Sequence, residues 1–286
     1  MTGGSGQVAR ALAARGAHVV GRPEFDFDRP ETIGAVFRDA QPSLVVNAAA
    51  YTAVDAAESD EAAVFWANRD GPAALARLCA GAKIPLIHLS TDYVFDGSKG
   101  APYLETDPVA PLGVYGHSKQ EGERAVLQAW RRAIVLRTSW VYAAVGTNFV
   151  RTMLGAAAKT NRLRVVADQQ GCPTSATDLA DVIMTIAARI GGGGWSDDFA
   201  GVFHAAGTGA TTWHGFATAI FTEAAQQGMA PPVVEAITTA DWPTSVRRPA
   251  DSRLDCTKLH AVFGLRLPPW QASLAKVVAE ILAQTR

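Results

Sequence analysis

Short β-branched runs alternate with helical stretches along the first half of this chain. The runs are His18-Val19-Val20, Leu44-Val45-Val46, Leu86-Ile87-His88-Leu89 and Ile134-Val135-Leu136, the pattern of strands buried on both faces of a parallel sheet. Between them, residues 8–15 are rich in alanine, residues 30–40 set Ile33, Val36 and Phe37 on one face, and residues 60–80 are amphipathic. These are the crossover helices of βαβ units, so the pattern predicts a doubly wound α/β domain over residues 1–145.

Beyond Trp140 the rhythm loosens. Gly191 to Gly194 form a glycine run, Pro231 and Pro232 a proline pair, and Arg-Pro and Pro-Pro steps follow near the end. A smaller domain that mainly serves substrate is expected over residues 146–286. Val202-Phe203-His204-Ala205 reads as a strand that returns to the sheet near 202–206, so the two domains are expected to interleave.

Composition narrows the function. The chain has 286 residues, and its 26 Lys and Arg against 27 Asp and Glu leave no basic field for nucleic acid and no polybasic segment for an anionic membrane. No apolar run approaches the roughly 20 residues that span a bilayer, and no signal peptide is visible. A cytoplasmic protein that handles a small molecule is the expectation. Cys79, Cys172 and Cys256 are odd in number and far apart, which points to structural thiols rather than a disulfide framework or a zinc site. His88, His117, His204 and His214 lack metal-ligand spacing, so no metal is expected.

Candidate chemistry begins at the first residues. Gly3-Gly4-Ser5-Gly6-Gln7-Val8-Ala9 opens the first helix, and Gly3 and Gly6 would let a pyrophosphate approach backbone N–H groups at the helix start, as in a Rossmann-type dinucleotide fold. Ala48, Ala49 and Ala50 follow the third strand and leave room over its end. After the second strand, Gly21-Arg22 and Asp26-Phe27-Asp28 offer no carboxylate in the usual place for a ribose 2′-hydroxyl. Arg22 could instead meet a 2′-phosphate, which favours NADPH over NADH, or it is simply a solvated loop cation. The strand that should precede the glycine turn is missing from this reading, which implies a natural start several residues upstream.

Tyr115 and Lys119 stand four residues apart at the front of a predicted helix and share one face. A phenol ionises near pH 10, and a neighbouring ammonium would lower that value at about 1.4 kcal/mol per unit. Leu89-Ser90-Thr91-Asp92-Tyr93 leaves the fourth strand at the edge where ligands bind in open α/β sheets. Thr91 is spaced to donate a hydrogen bond to a ketone oxygen as it gains charge, with Ser90 in reserve.

These segments, in this order, resemble the extended short-chain dehydrogenase/reductase family. Residues 46–55, 137–142, 168–174, 204–207, 211–214 and 248–254 extend the similarity, almost end to end, to its dTDP-4-dehydrorhamnose reductase branch. The resemblance implies reduction of the C4 ketone of dTDP-4-dehydro-L-rhamnose by NADPH. It makes Tyr115 the proton donor, gives the nicotinamide ribose to Lys119, and sets Thr91, Asp92, Tyr93 and Trp140 against the sugar. Asp26 and Phe27 would lie by the adenine, and Gly3, Gly6, Gln7, Val8, Ala48, Ala49, Ala50 and Tyr51 would complete the cofactor site. Arg247, Arg248 and Arg253 are candidates for the diphosphate, or else ion-pair partners of Asp251 and Asp255. Some relatives dimerise through magnesium on an acidic first helix. Here that stretch is Arg10-Ala11-Leu12, so a monomer or a metal-free homodimer is expected. Dehydratases of the family carry Glu where this chain has Tyr93. A related nucleotide-sugar 4-ketoreductase, an epimerase and a non-catalytic dinucleotide-binding regulatory subunit stay open as alternatives.

Overall fold

The computed structural model describes residues 1–284; the last two residues of the expected second domain lie outside that range. Its longer strands are β1 (Val45–Asn47), β2 (Leu86–Thr91), β3 (Ala133–Thr138), β4 (Arg162–Val166), β5 (Gly201–His204) and β6 (Val233–Ile237). The longer helices are α1 (Gln7–Ala13), α2 (Pro30–Ala40), α3 (Gly71–Ala82), α4 (Val114–Ala129), α5 (Phe149–Ala157), α6 (Ala176–Gly193), α7 (Trp213–Gln226), α8 (Thr257–Phe263) and α9 (Trp270–Gln284).

The central sheet is parallel, in the order β1-β2-β3-β5. Neighbouring residues on each strand enter opposite cores, which is why the strands read as unbroken apolar runs. Val46, Ile87, Leu89, Ile134, Leu136 and Phe203 join residues of α1, α6 and α8 on one face. Val45, Leu86 and Ala133 join Phe25, Phe27, Ile33 and Leu75 on the other. A separate core gathers Tyr142, Val150, Leu154, Phe216, Ile220, Trp270, Leu274 and Val278, from α5, α7, α9 and the segment after β3. Beside it β4 and β6 form a parallel ribbon. The chain returns to the main sheet at β5, which pairs with β3 from Ile134↔Gly201 to Arg137↔His204. No helix among the described residues is long and apolar enough to cross a membrane.

Two sequence expectations change. The place of the missing first strand, beside β1, is held by Met1 and Thr2. Thr2 bridges both Val20 and Asn47 in parallel, Thr2 N donates to Val46 O at 2.9 Å, and Val20 N donates to Met1 O at 2.8 Å. A ladder extends only as far as its neighbour, so the predicted strand at 18–20 contracts to a single bridge.

The helix expected over residues 60–80 is interrupted. It runs as Glu61–Phe65, a π-helical turn Trp66–Asp70, and then α3. Pro72 has no N–H to give to the Asn68 carbonyl four residues back, and the extra residue per turn absorbs that lost bond. Helix α4 packs against this turn through Gly122, where a Cβ would stand 2.0 Å from the Asn68 carbonyl oxygen. Neither backbone can yield at that contact without moving a helix. Gly122→Ala is therefore expected to destabilise the fold by about 1–3 kcal/mol, the usual cost of overpacking. A lowered urea midpoint would show it, and a wild-type midpoint would refute the close contact.

Candidate active site

Strand β2 ends at Thr91, whose hydroxyl accepts a hydrogen bond from Tyr93 N at 3.2 Å and caps the 3-10 turn Asp92–Val94. Helix α4 starts at the same edge of the sheet. Its first turn lies directly against the 3-10 turn, because a Cβ on Gly116 would stand 2.2 Å from the Tyr93 carbonyl oxygen. Tyr115 thereby meets Tyr93 edge to face, with ring centroids 6.0 Å apart, and its hydroxyl comes under the influence of Thr91. One turn deeper, Lys119 is only 2% exposed and donates from Nζ to Leu89 O at 2.6 Å. The i, i+4 pair predicted on one helix face thus meets the last residues of β2.

The electrostatics differ from expectation. Burial pushes the Tyr115 phenol up to about 12, with Thr91 drawing it down and Asp92 pushing it up; Lys119 is not among the groups acting on it. Burial draws the Lys119 amine down to about 8, against the pull of Glu123. The ammonium donates to a strand carbonyl, and burial dominates the shift of the phenol.

Ser90, the reserve candidate, faces elsewhere. Its hydroxyl donates to Glu123 Oε1, and Glu123 also takes two bonds from Arg137, at 2.9 Å from Nε and 2.7 Å from Nη2. Both ends of that pair are 5% exposed. Glu123 extends the series Tyr115, Lys119 along α4 and sets a carboxylate beneath the amine. Asn68 is a second residue that sequence reasoning missed. It is fully buried, accepts from Tyr51 N at 2.8 Å, and donates to Tyr51 O at 3.1 Å and Ser118 Oγ at 3.0 Å. It ties Tyr51 to α4, and only a polar residue at a buried helical position could have signalled it.

Asp92 is 2% exposed. Its Oδ1 accepts from the Thr91 hydroxyl at 3.1 Å, whereas Oδ2 has no hydrogen-bond partner. Burial pushes its carboxyl up to about 7, opposed by Ser252 and Thr91.

The glycine turn is wedged between two backbones. Gly3 has φ +113° and a Cβ there would meet Ala48 at 3.1 Å, while a Cβ on Gly21 would meet Gly4 Cα at 2.4 Å. Behind the turn, the Thr2 hydroxyl donates to Asn47 Oδ1 at 2.5 Å, and Asn47 Nδ2 lies 2.9 Å from His88 Nδ1. Ala49 N donates to Asn47 Oδ1 at 3.2 Å. Gly3, Gly6, Ala48, Ala49 and Ala50 are thus brought to one edge of the sheet.

Four residues expected at the cofactor have side chains engaged elsewhere in the protein. The Val8 side chain belongs to the hydrophobic core, which leaves its backbone alone for a ligand. Phe27 is buried so tightly against Gly71 that a Cβ there would stand 2.4 Å from its ring, so its ring packs in the core. Gln7 is partly committed, accepting from Asn148 Nδ2 at 2.9 Å. Arg22 is two-thirds exposed and pairs with Asp26 at 2.9 Å and Asp28 at 2.5 Å, so a 2′-phosphate there would have to displace those carboxylates.

On the substrate side, Trp140 holds φ +47° and stacks on Trp213 with centroids 3.5 Å apart and planes 6° apart. Gly171 lets the ring in, since a Cβ there would stand 2.4 Å from it. Arg248 acts on Tyr93 and pairs with Asp55 at 2.8 Å. Arg253 is held by Asp251 through both carboxylate oxygens, at 2.8 and 2.6 Å. Arg247 lines a small cleft with Val54, Tyr93, Tyr115 and Val246. Among the described residues no cluster of His, Cys, Asp or Glu could hold a metal, and the cysteines are free.

The family model for the RmlD substrate binding domain matches residues 1–283. A dTDP-4-dehydrorhamnose reductase of Sinorhizobium fredii is 47% identical over 99% of this chain and 97% of its own. The crystal structure of a dTDP-4-dehydrorhamnose reductase from Clostridium acetobutylicum superposes with a TM-score of 0.89 at 31% identity, covering 99% of this chain and 98% of that one. Another, from Bacillus anthracis in complex with NADP, also reaches 0.89 at 28% identity, covering 98% and 97%.

Loss of Glu123 would strand the buried Arg137 guanidinium without a counter-charge. Removing one partner of such a pair typically costs about 3–5 kcal/mol. Glu123→Ala is expected to lose stability on that scale in urea unfolding, and a loss below about 1 kcal/mol would show that the pair is dispensable.

Proposed function

The chain belongs to the RmlD substrate-binding-domain family, and from that premise we propose that it reduces the C4 ketone of dTDP-4-dehydro-L-rhamnose with NADPH, giving dTDP-L-rhamnose. The observation that carries this reading is the seating of Tyr115 against Tyr93 just beyond the end of β2, with Lys119 buried one turn behind at the Leu89 carbonyl. A bound nicotinamide dinucleotide supplies the hydride. The residues fit such a group: Gly3 keeps open, against Ala48, a space that a Cβ would fill, so that turn backbone can approach a pyrophosphate.

Within the site, Thr91 is positioned to steady the ketone oxygen as charge develops on it, and Tyr115 is the group at hand to protonate that oxygen. Removing the phenol from water raises its affinity for its proton, so it stays protonated at neutral pH until an alkoxide forms beside it. Lys119 carries its charge into the floor of the site, where the nicotinamide ribose would lie. Trp140 offers a flat apolar wall to the sugar, and its stack on Trp213 fixes the wall's angle. Asp92 and Tyr93 complete the sugar pocket. Arg247 and Arg248 are the better candidates for the diphosphate, because Arg253 is already bidentate to Asp251. Such an enzyme draws a soluble nucleotide sugar and a soluble cofactor, consistent with action in the cytoplasm.

Purified protein should oxidise NADPH when dTDP-4-dehydro-L-rhamnose is added. Faster turnover of another nucleotide 4-ketosugar would move the assignment to a different sugar, and cofactor use without net oxidation would indicate an epimerase. Tyr115→Phe is expected to cut kcat by at least ~100-fold while NADPH still binds; an undiminished rate would reassign the proton donor. Arg22→Ala should weaken NADPH more than NADH if the arginine leaves its carboxylates for a 2′-phosphate, whereas equal losses would leave it a surface ion pair.

A further inference from the structure

Helix α4 brings no cap of its own. Gly113 precedes it and has no side chain to bond the orphan N–H groups of the first turn, and that turn contains no acidic residue. The cap comes instead from a distant residue: Val114 N donates to Glu58 Oε1 at 2.8 Å. Tyr115 is the second residue of the helix and lies in the turn so capped. We propose that Glu58 is a positioning residue for the reaction, holding the first turn of α4 so that the Tyr115 phenol stays at the end of β2. This inference rests on the reductase reading above and adds a residue that acts through Tyr115.

Gly113 shows that the contact is built into the chain. Its φ of −148° and ψ of 172° are extended backbone that any residue adopts, so conformation does not call for glycine there. Space does: a Cβ would stand 2.7 Å from Glu58 Oε1 and 2.8 Å from Val246 Cγ1. Asn, Asp, Ser or Thr, the residues that usually cap a helix from this position, would push the carboxylate out. The chain forgoes a local cap and takes one from 56 residues before Val114. A carboxylate there also faces the positive end of the α4 dipole.

The origin of the cap links the two sides of the site. Glu58 ends the short helical turn Val54–Ala57, which follows Ala48, Ala49, Ala50 and Tyr51 on the cofactor side. The same stretch of chain grips α4 a second time through Asn68, whose Nδ2 donates to Ser118 Oγ at 3.0 Å, and Ser118 Oγ donates in turn to Tyr115 O at 2.8 Å. These two ties, at Val114 and at Ser118, bracket Tyr115. Asn68 is fully buried whereas Glu58 is exposed, so Glu58 can be changed without opening the core. A first turn free to fray lets the phenol drift, and a displacement of about 1 Å can cost ~100-fold in rate.

Exchange of the Val114 amide hydrogen, followed by NMR, reads the cap without any turnover. It should be slow in the wild type and in Glu58→Gln, which keeps an acceptor oxygen at the same reach. In Glu58→Ala, and in Glu58→Asp, which is one methylene short, it should be about tenfold faster. In turnover, Glu58→Ala and Glu58→Asp should lower kcat about tenfold with the KM for NADPH and for the sugar unchanged, while Glu58→Gln stays within about threefold of the wild type. Equal Val114 exchange in the wild type and Glu58→Ala would remove the cap. A Glu58→Ala enzyme that melts earlier yet keeps the wild-type kcat would make the bond structural only, and one that raises the KM for the sugar at unchanged kcat would make Glu58 a substrate contact; each of these three results overturns the proposal. Failure of the reductase reading has its own signature, wild-type protein with a protected Val114 amide that oxidises no NADPH, and it overturns the role as well because no reaction is left to position.

Discussion

Helix α4 can sit as deep as it does only because two of its residues have no side chain. At Gly116 the Tyr93 carbonyl, and at Gly122 the Asn68 carbonyl, occupy the space a Cβ would need. This depth decides the chemistry, since the phenol of Tyr115 and the amine of Lys119 reach the end of β2 only from a helix seated that closely. A displacement of one side-chain layer would leave both groups in solvent or in the apolar core. The π-helical turn at Trp66–Asp70 serves the same constraint, because Pro72 withholds its N–H from the carbonyl that Gly122 approaches.

Beneath the site the protein buries more charge than its apolar sheet would suggest. Lys119, Glu123 and Arg137 form a sequence of alternating sign, closed by Ser90 on one side. Each charge is desolvated, and each is tolerable because the next lies beside it. Lys119 keeps enough of its charge to serve a cofactor's ribose, while Asp92, on the other side of Thr91, has no cation to hold it ionised. Two titrating groups, one on α4 and one just after β2, are therefore driven toward neutrality from opposite directions.

The parts of the fold that follow from period and spacing were legible in the chain. Apolar runs located β1, β2, β3 and β5, and the spacing of Tyr115 and Lys119 brought both to the strand end beside Thr91. What escaped the sequence lies in long-range pairing. Nothing near Phe27 announces that Gly71 receives its ring, and the loop position of Arg22 conceals its attachment to Asp26 and Asp28. Trp140 read as a lone aromatic after a strand, yet its orientation depends on Trp213, more than seventy residues later. Asn68 and Glu123 gave no signal, because a polar residue on a helix reads as solvent-facing until its neighbours are known. The amine's engagement with Leu89 O was likewise invisible, as a backbone acceptor carries no sequence signature.

The account stands on hydride delivery to a ketone carbon with a proton passed to its oxygen. Cofactor carrying deuterium at C4 of the nicotinamide tests that directly, by locating the label in the sugar product with NMR. The account predicts one deuterium at C4 of the sugar and an ordinary exchangeable hydroxyl on the same carbon. A label that remains in the cofactor, appears at another carbon or is lost to water would contradict it.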